Sequence, residues 1–156
     1  MRFTFQSAQS GFTLAELIAV ILIVGILSVS ATAFFGRGSF DTAGYADLAQ
    51  AQVTYARKVA IAQRRTTTVT IGANTISLTV CTDAACTSSV AVPSPSGSGG
   101  FTSTAPSGVT ISTSPNTPSF TYDALGRPSF AGNVVVTISG SGSYPFTIEQ
   151  ETGYVH

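Results

Sequence analysis

The sequence predicts an α+β protein in which two helices precede a small antiparallel β domain. Three observations carry this: an unbroken apolar run from Phe12 to Phe35, a change of hydrophobic period from 3.6 to 2 after Arg65, and seven prolines that all lie at or after Pro93. Length allows one ordinary domain with an appendage, at 156 residues. Charged residues make up only 9%, well under the ~25% of an average soluble protein. Lys and Arg number 7, offset by 7 Asp and Glu, so nothing points to a polyanionic partner, and such a chain is prone to associate. Ten Phe and five Tyr exclude global disorder. The missing polarity is supplied by 42 Ser and Thr. The profile is that of an exported, β-rich protein that assembles or sits in a membrane.

The run from Phe12 to Phe35 holds one charge, Glu16. As a helix it is roughly 36 Å long, enough to cross a ~30 Å hydrocarbon core. Cleavage candidates of a conventional signal peptide, such as Ala31-Thr32-Ala33, lie inside the run rather than after it, so the segment is expected to stay as a membrane helix. Arg2 and Arg37 stand one on each side and leave orientation undecided. Gly36-Arg37-Gly38-Ser39 predicts a break or loosening, with Ser39 or Asp41 capping a restart. Tyr45, Leu48, Gln52, Tyr55, Val59 and Ala62 then recur at helical spacing, predicting an amphipathic helix. Its last turns carry Arg57, Lys58, Arg64 and Arg65.

Val69 and Ile71 alternate with threonines, Gly72-Ala73-Asn74 supplies a turn, and Ile76, Leu78 and Val80 alternate again, which is a hairpin. The Pro/Gly/Ser-rich stretch from Val92 to Gly100 predicts a mobile surface loop. Further strands are expected at Val109–Ser112, Ser119–Tyr122, Val134–Ser139 and Tyr144–Glu149, for six or seven in all. Gly140–Ser143 joins the last two, and Pro145 demotes the start of the final strand to an edge or bulge. Asp123-Ala124-Leu125-Gly126-Arg127-Pro128 reads as a turn, with Asp to start it, Gly for positive φ and Pro to end it.

Function concentrates in Ser10-Gly11-Phe12-Thr13-Leu14-Ala15-Glu16-Leu17-Ile18. A carboxylate at the centre of a membrane helix costs ~2.5–3.5 kcal/mol on insertion scales, less near an end. Glu16 therefore calls for a partner. A short polar leader ending in Gly, then Phe, then Glu at the fifth position of an unbroken apolar helix, resembles the class III signal of type IV pilins and pseudopilins. The resemblance implies cleavage between Gly11 and Phe12 by a prepilin peptidase, N-methylation of Phe12, and a Glu16 that neutralises the amine of a neighbouring subunit during assembly. Two opposite charges in hydrocarbon cancel only at one axial offset, so such a pair sets register as well as affinity. The sequence departs from the pattern in its single basic leader residue, Arg2, in Ala15, and in lacking the proline that often kinks the helix, where Ala33 stands.

The passage from Tyr55 to Arg65 into Thr67–Ile71 is similar to the group of pseudopilin H and fimbrial protein T. The stretches Phe120–Pro128 and Glu149–His156 resemble the C-type minor pilins of mannose-sensitive haemagglutinin (MSHA) pili. These resemblances imply the type IV pilin fold, a long helix followed by two antiparallel sheets. They divide the chain into a leader (1–11), a transmembrane and assembly helix (12–35), an amphipathic helix continuing to the globular domain (36–65) and a β domain (66–156). The implied function is a minor pilin of an MSHA-type pilus that helps initiate or cap the fibre and contributes to surface adhesion through an unidentified ligand. The alternatives are an H-like type II secretion pseudopilin and a DNA-uptake minor pilin. The implied partners are other pilin subunits through the N-terminal helix, the prepilin peptidase, and the inner membrane before assembly. The implied location is a single pass of the inner membrane with the β domain in the periplasm, then the cell-surface pilus.

Cys81 and Cys86 enclose four residues, and in an exported domain this favours a disulfide over free thiols. Half a zinc site is the rival, and one His in the chain leaves it short of ligands. The basic residues after Tyr55 could contact DNA, but cations near a helix C-terminus also complement its dipole. DNA-binding members of the group carry a further Arg where Pro128 and Ser129 follow Gly126-Arg127 here, so DNA is not expected as a partner. Glu149 and Glu151 on one strand face read as a solvated edge before a cation site. No nucleophile elbow, phosphate loop or metal-ligand spacing is present in the sequence. No catalytic, cofactor-binding or metal residues are therefore assigned; the chain is expected to be a substrate of the peptidase and not an enzyme.

Overall fold

The computed structural model describes residues 12–34, 37–97 and 99–156. It resolves into two compact units, one ending at Gly36 and one spanning Arg37–His156. In the first, helix α1 (Leu14–Phe34) carries one charge, Glu16 in its first turn, and is otherwise apolar round the described turns. Leu14, Leu17, Ile21, Leu22, Ile26 and Leu27 are all exposed, and a helix apolar all round needs an apolar medium or other helices about it. The Ser28 hydroxyl donates to the Val24 carbonyl at 2.7 Å, which satisfies it inside its own helix. Side chains of α1 are described as far as Ser28. Among the described residues no helix is long and apolar enough to cross a membrane.

The second unit opens with helix α2 (Arg37–Gln63). Gly38, Ser39 and Asp41 lie within it, so neither Ser39 nor Asp41 caps a restart; Gly36 falls outside the described residues. Gly and Ser cost at most about 1 kcal/mol each in a helix interior, which the packing of the following turns outweighs. That packing uses Thr42, Tyr45, Ala46, Ala49, Gln52, Val53, Ala56, Val59 and Ala60, all buried. The stripe differs from the expected one: Leu48 is 41% exposed, and Ala62 also faces out. The burial instead follows the alanines, whose small side chains let the helix backbone approach a sheet closely.

Eight strands follow: β1 (Thr67–Ile71), β2 (Thr75–Cys81), β3 (Ser89–Ala91), β4 (Thr102–Thr104), β5 (Thr110–Ser114), β6 (Ser119–Tyr122), β7 (Val134–Ser139) and β8 (Ser143–Ile148). The hairpin β1–β2 pairs antiparallel with Val69 opposite Leu78 and Ile71 opposite Ile76. β6 closes on the other side of β1, with Phe120 opposite Val69. β3 and β4 both pair with β2, giving a five-stranded sheet; β5, β7 and β8 form a three-stranded one. The strands β3 and β4 exceed the six or seven expected. Each is three residues long and neither shows an apolar alternation, so only pairing with β2 defines them.

The Val92–Gly100 stretch also differs from a plain surface loop. Val92 is fully buried, its N–H donates to the Leu78 carbonyl at 3.0 Å and its own carbonyl accepts from Phe101 at 2.7 Å. Only the tip beyond Pro93 projects. At the far end, β8 is an edge strand with Pro145 opposite Thr137. The chain's end adds a short segment to its outer side, with His156 and Thr147 exchanging backbone bonds of 3.0 and 2.7 Å. β8 ends at Ile148, so Glu149 and Glu151 lie in the turn after it and share no strand face.

The core is the layer between α2 and the two sheets. Val69, Ile76, Leu78 and Tyr122 come from the larger sheet, and Val134, Val136, Ile138 and Ile148 from the smaller. The Gly140–Ser143 turn docks on α2 at Thr42, whose Oγ1 accepts from the Ser141 N–H at 3.3 Å. A Cβ on Gly140 would sit 2.6 Å from that oxygen, so a side chain there would push the turn off the helix. Within this core Gln52 is fully buried. Its Nε2 donates to the carbonyls of Ile76 (3.0 Å) and Phe101 (2.9 Å), and its Oε1 accepts from Ser103 Oγ at 2.6 Å. Ser103 Oγ also lies 3.2 Å from the Tyr45 hydroxyl.

A buried polar group stripped of its partner costs about 1–3 kcal/mol. Gln52→Leu leaves two carbonyls and the Ser103 hydroxyl short of a partner, and is expected to destabilise the chain by about 2 kcal/mol or more. The Tyr122 hydroxyl is buried with no hydrogen-bond partner among the described residues. Tyr122→Phe should therefore leave stability unchanged or slightly raised. Thermal unfolding of the two variants in detergent, followed by circular dichroism, tests the contrast.

Candidate functional site

The start of α1 is built by Thr13. Its carbonyl accepts from the N–H groups of Glu16 and Leu17, both at 3.1 Å, and its Oγ1 accepts from the Glu16 N–H at 3.2 Å. This makes Thr13 the N-cap, satisfying one of the amides that a helix start leaves unpaired. The spacing Thr-x-x-Glu, present in Thr13-Leu14-Ala15-Glu16, is the sequence signature of such a cap. The cap fixes where the helix begins and so places Glu16 in its first turn. There the helix dipole favours a carboxylate by about 0.3–1 kcal/mol. The residue is exposed, and its carboxylate has no ion-pair partner among the described residues. Phe12, 79% exposed, stands just before the cap. Gly11 and the rest of the leader lie outside the described residues.

Cys81 and Cys86 are joined in a disulfide with their Cα atoms 4.9 Å apart. Cys86 takes φ +55°, and the turn around it is organised by Asp83. The Asp83 carboxylate accepts from the Thr87 N–H at 2.9 Å and the Thr87 hydroxyl at 2.6 Å, and from Ser88 N and Oγ, both at 3.2 Å. The Thr87 hydroxyl and amide, joined by those of Ser88, hold the Asp83 carboxyl down to about 2. The sequence marked the cysteines but not Asp83.

The basic residues at the end of α2 divide in role. Arg57 donates Nε to the Gly126 carbonyl at 3.3 Å, tying the helix to the Asp123–Pro128 turn. In that turn Asp123 Oδ1 accepts from the N–H groups of Leu125 (2.8 Å) and Arg127 (2.9 Å), and Gly126 has φ +79°. Arg64 ends the helix in the left-handed conformation at φ +50°, with Arg65 N–H closing back on the Ala60 carbonyl at 3.2 Å. That is a Schellman-type stop with Arg where Gly is usual. Lys58 and Arg65 point to solvent. Beside them runs a groove of about 480 Å³ between α2 and the projecting loop, lined by Asp47, Ala51, Tyr55, Lys58, Pro95 and Phe101. The Tyr55 and Phe101 rings meet edge to face with centroids 5.6 Å apart. Among the described residues no group of three His, Cys, Asp or Glu is placed to hold a metal.

The prokaryotic N-terminal methylation motif matches residues 6–32, the segment that carries Gly11, Phe12, Thr13 and Glu16. The fold is that of type IV pilins. The minor pilin FimU of Pseudomonas aeruginosa superposes with a TM-score of 0.59 at 16% identity, over 76% of this chain and 88% of FimU. The minor pseudopilin EpsH of the Vibrio cholerae type 2 secretion system superposes with a TM-score of 0.58 at 14% identity, over 74% of this chain and 94% of EpsH. No curated protein matches the sequence.

The Asp83 turn generates a pH prediction. Its carboxyl lies at about 2 in the folded chain against an ordinary 3.8, so its contribution to stability is complete above that ordinary value and is lost as pH falls through the folded one. Asp83→Asn is expected to lower the melting temperature at neutral pH and to flatten its decline between about pH 4 and pH 2. Melting curves of both chains across that range, with the disulfide intact, check the sign.

Proposed function

We propose that the chain is a prepilin, cut between Gly11 and Phe12, methylated on the new amino group of Phe12, and inserted through α1 into the core of a pilus as a low-abundance subunit. The observation that carries this is the Thr13-capped helix start. It presents one exposed carboxylate, Glu16, in the first turn of a helix that is otherwise apolar on every face. A lone charge there is tolerated in an isolated helix and fully compensated only by a cation from outside it. The amine of an adjacent subunit supplies that cation, and the methylation motif over residues 6–32 supports its being made.

Before assembly the apolar run 12–35 anchors the chain as a single pass of the inner membrane, leaving the unit Arg37–His156 in the periplasm. The resemblance of the C-terminal stretches to MSHA minor pilins makes an MSHA-type fibre our reading, with the subunit initiating or capping growth. The projecting loop beyond Pro93 and the Asp83 turn are its surfaces for adhesion. A type II secretion pseudopilin is the second reading, favoured by the EpsH superposition, which is as good as that of FimU.

Intact-mass and N-terminal analysis of the protein from sheared filaments and from membranes of the same cells tests the proposal. A chain beginning at N-methyl-Phe12 in both fractions is expected. Mature protein confined to membranes points to the pseudopilin, and an uncut chain overturns both readings. Glu16→Ala should insert normally yet lower filament number at least about tenfold, the loss of ~1.4 kcal/mol of pairing; electron microscopy of pili counts the difference.

A further inference from the structure

The basic residues of the chain gather at one end of its second unit. Of the seven Lys and Arg, Arg57, Lys58, Arg64 and Arg65 lie about the last turns of α2, and Arg127 stands in the turn tied to them. Ile61 is at the centre of the four. Arg57 and Lys58 precede it by four and three residues, the spacings that make neighbours on a helix surface. Arg64 and Arg65 follow at once, held against the helix end by bonds from their N–H groups to the carbonyls of Ile61 (3.3 Å) and Ala60 (3.2 Å). Ile61 itself is 42% exposed.

The Asp123–Pro128 turn brings a second aliphatic side chain to the same place. It sits so close to α2 that a Cβ on Gly126 would lie 2.7 Å from Ile61 Cδ1 and 3.2 Å from Arg57 Cγ. Beside Gly126, at the tip of the turn, Leu125 is 69% exposed. The carboxylates of the neighbouring turns have partners of their own. Asp123 pairs with Arg127 at 3.1 Å, Glu149 accepts from the Thr152 hydroxyl at 2.7 Å, Asp83 is held by Thr87 and Ser88, and Glu151 shares a hollow with Arg127. Lys58, Arg64 and Arg65 are exposed and form no ion pair among the described residues. A net charge of zero over the whole chain thus conceals a local group of free cations set around two exposed aliphatic side chains.

Such a surface is complementary to anionic headgroups lying over hydrocarbon: the cations meet the phosphates while the aliphatic side chains enter between them. A nucleic acid calls for cations with aromatic rings on which bases stack, and here the side chains among the cations are Ile and Leu. A protein partner calls for anchors seated in pockets, whereas Leu125 projects from a turn. We propose that Ile61, Leu125, Lys58, Arg64 and Arg65 form a docking surface for an anionic lipid bilayer, with Leu125 as the inserting residue. Arg57 is a positioning residue: its Nε donates to the Gly126 carbonyl at 3.3 Å and so holds the Leu125 turn on the helix.

Capture by vesicles tests it. The full-length chain is held in nanodiscs of phosphatidylcholine, which cover α1, and mixed with sedimenting vesicles of phosphatidylcholine with or without phosphatidylglycerol. The discs should sediment with the anionic vesicles and not with the neutral ones, and raised salt should release them. Each Lys or Arg near an anionic surface raises affinity about fivefold. Lys58→Gln, Arg64→Gln and Arg65→Gln combined should therefore lower capture at least about tenfold. Leu125→Ser, at an exposed turn tip, should keep the fold and lower capture as well. Because the chain has no Trp, Leu125→Trp reports on the tip directly in discs whose scaffold also lacks tryptophan. Its fluorescence should be quenched by brominated anionic vesicles and unchanged by brominated neutral ones. Capture by both kinds of vesicle alike, or by neither, overturns the inference. So does anionic capture that Leu125→Ser leaves intact and in which Leu125→Trp stays unquenched; displacement by duplex DNA or polyglutamate then identifies a soluble polyanion as the occupant.

Discussion

The burial of one face of α2 against two separate sheets is the constraint on which the rest of the structure depends. Neither sheet has a second layer of its own. The larger has two strands of three residues, and the smaller has only three strands in all. Sheets this small need a cover to exclude water from their apolar faces. One helix covers both because its inward stripe mixes small and larger residues, with Ala49, Ala56 and Ala60 beside Tyr45, Val53 and Val59. Larger side chains at the alanines would force the sheets apart, since overpacking a core costs typically 1–3 kcal/mol. Gln52 adds orientation to that apolar contact. Its three hydrogen bonds reach β2, the residue before β4 and β4 itself, fixing the helix against the edge where the projecting loop leaves and returns.

The same logic runs in reverse in α1. Its apolar surface finds no cover within its own unit, so it carries a strong drive to associate with lipid or with other helices. Against that background a single carboxylate is conspicuous. The first-turn position set by Thr13 makes the charge tolerable through the helix dipole, and the lack of a partner among the described residues leaves it available to an outside cation. A helix that binds by apolar contact alone can slide along its partner; one with a charge near its end has a preferred offset.

The superpositions on FimU and EpsH at 14–16% identity show what this fold retains when its residues change. What is common is the fold, a helix followed by antiparallel sheets. Within that fold, local devices hold the turns and loops of this chain. They include Asp83 bracing the disulfide turn, Arg64 ending α2 at positive φ, and Val92 anchoring a loop whose composition reads as wholly mobile.

By itself the sequence determined the α+β class, the apolar run, the hairpin at β1–β2, the positions of β6, β7 and β8, and the N-terminal methylation motif that matches residues 6–32. Each of these is written in short-range pattern: a period of 3.6 or 2, a turn of Gly and Asn, a single charge inside an apolar run. The disulfide was legible from the spacing of Cys81 and Cys86. What only the tertiary structure decided involves partners distant in the chain. Leu48 faces solvent and Ala49 the core because the available space beside two sheets suits a methyl group and not an isobutyl. β3 and β4 exist because β2 offers its one free hydrogen-bonding edge to residues without strand periodicity of their own. Gln52, polar in the middle of an apolar stripe, is buried because the carbonyls of Ile76 and Phe101 and the hydroxyl of Ser103 converge on it. No local pattern encodes that convergence, since its members lie 24 to 51 residues from Gln52.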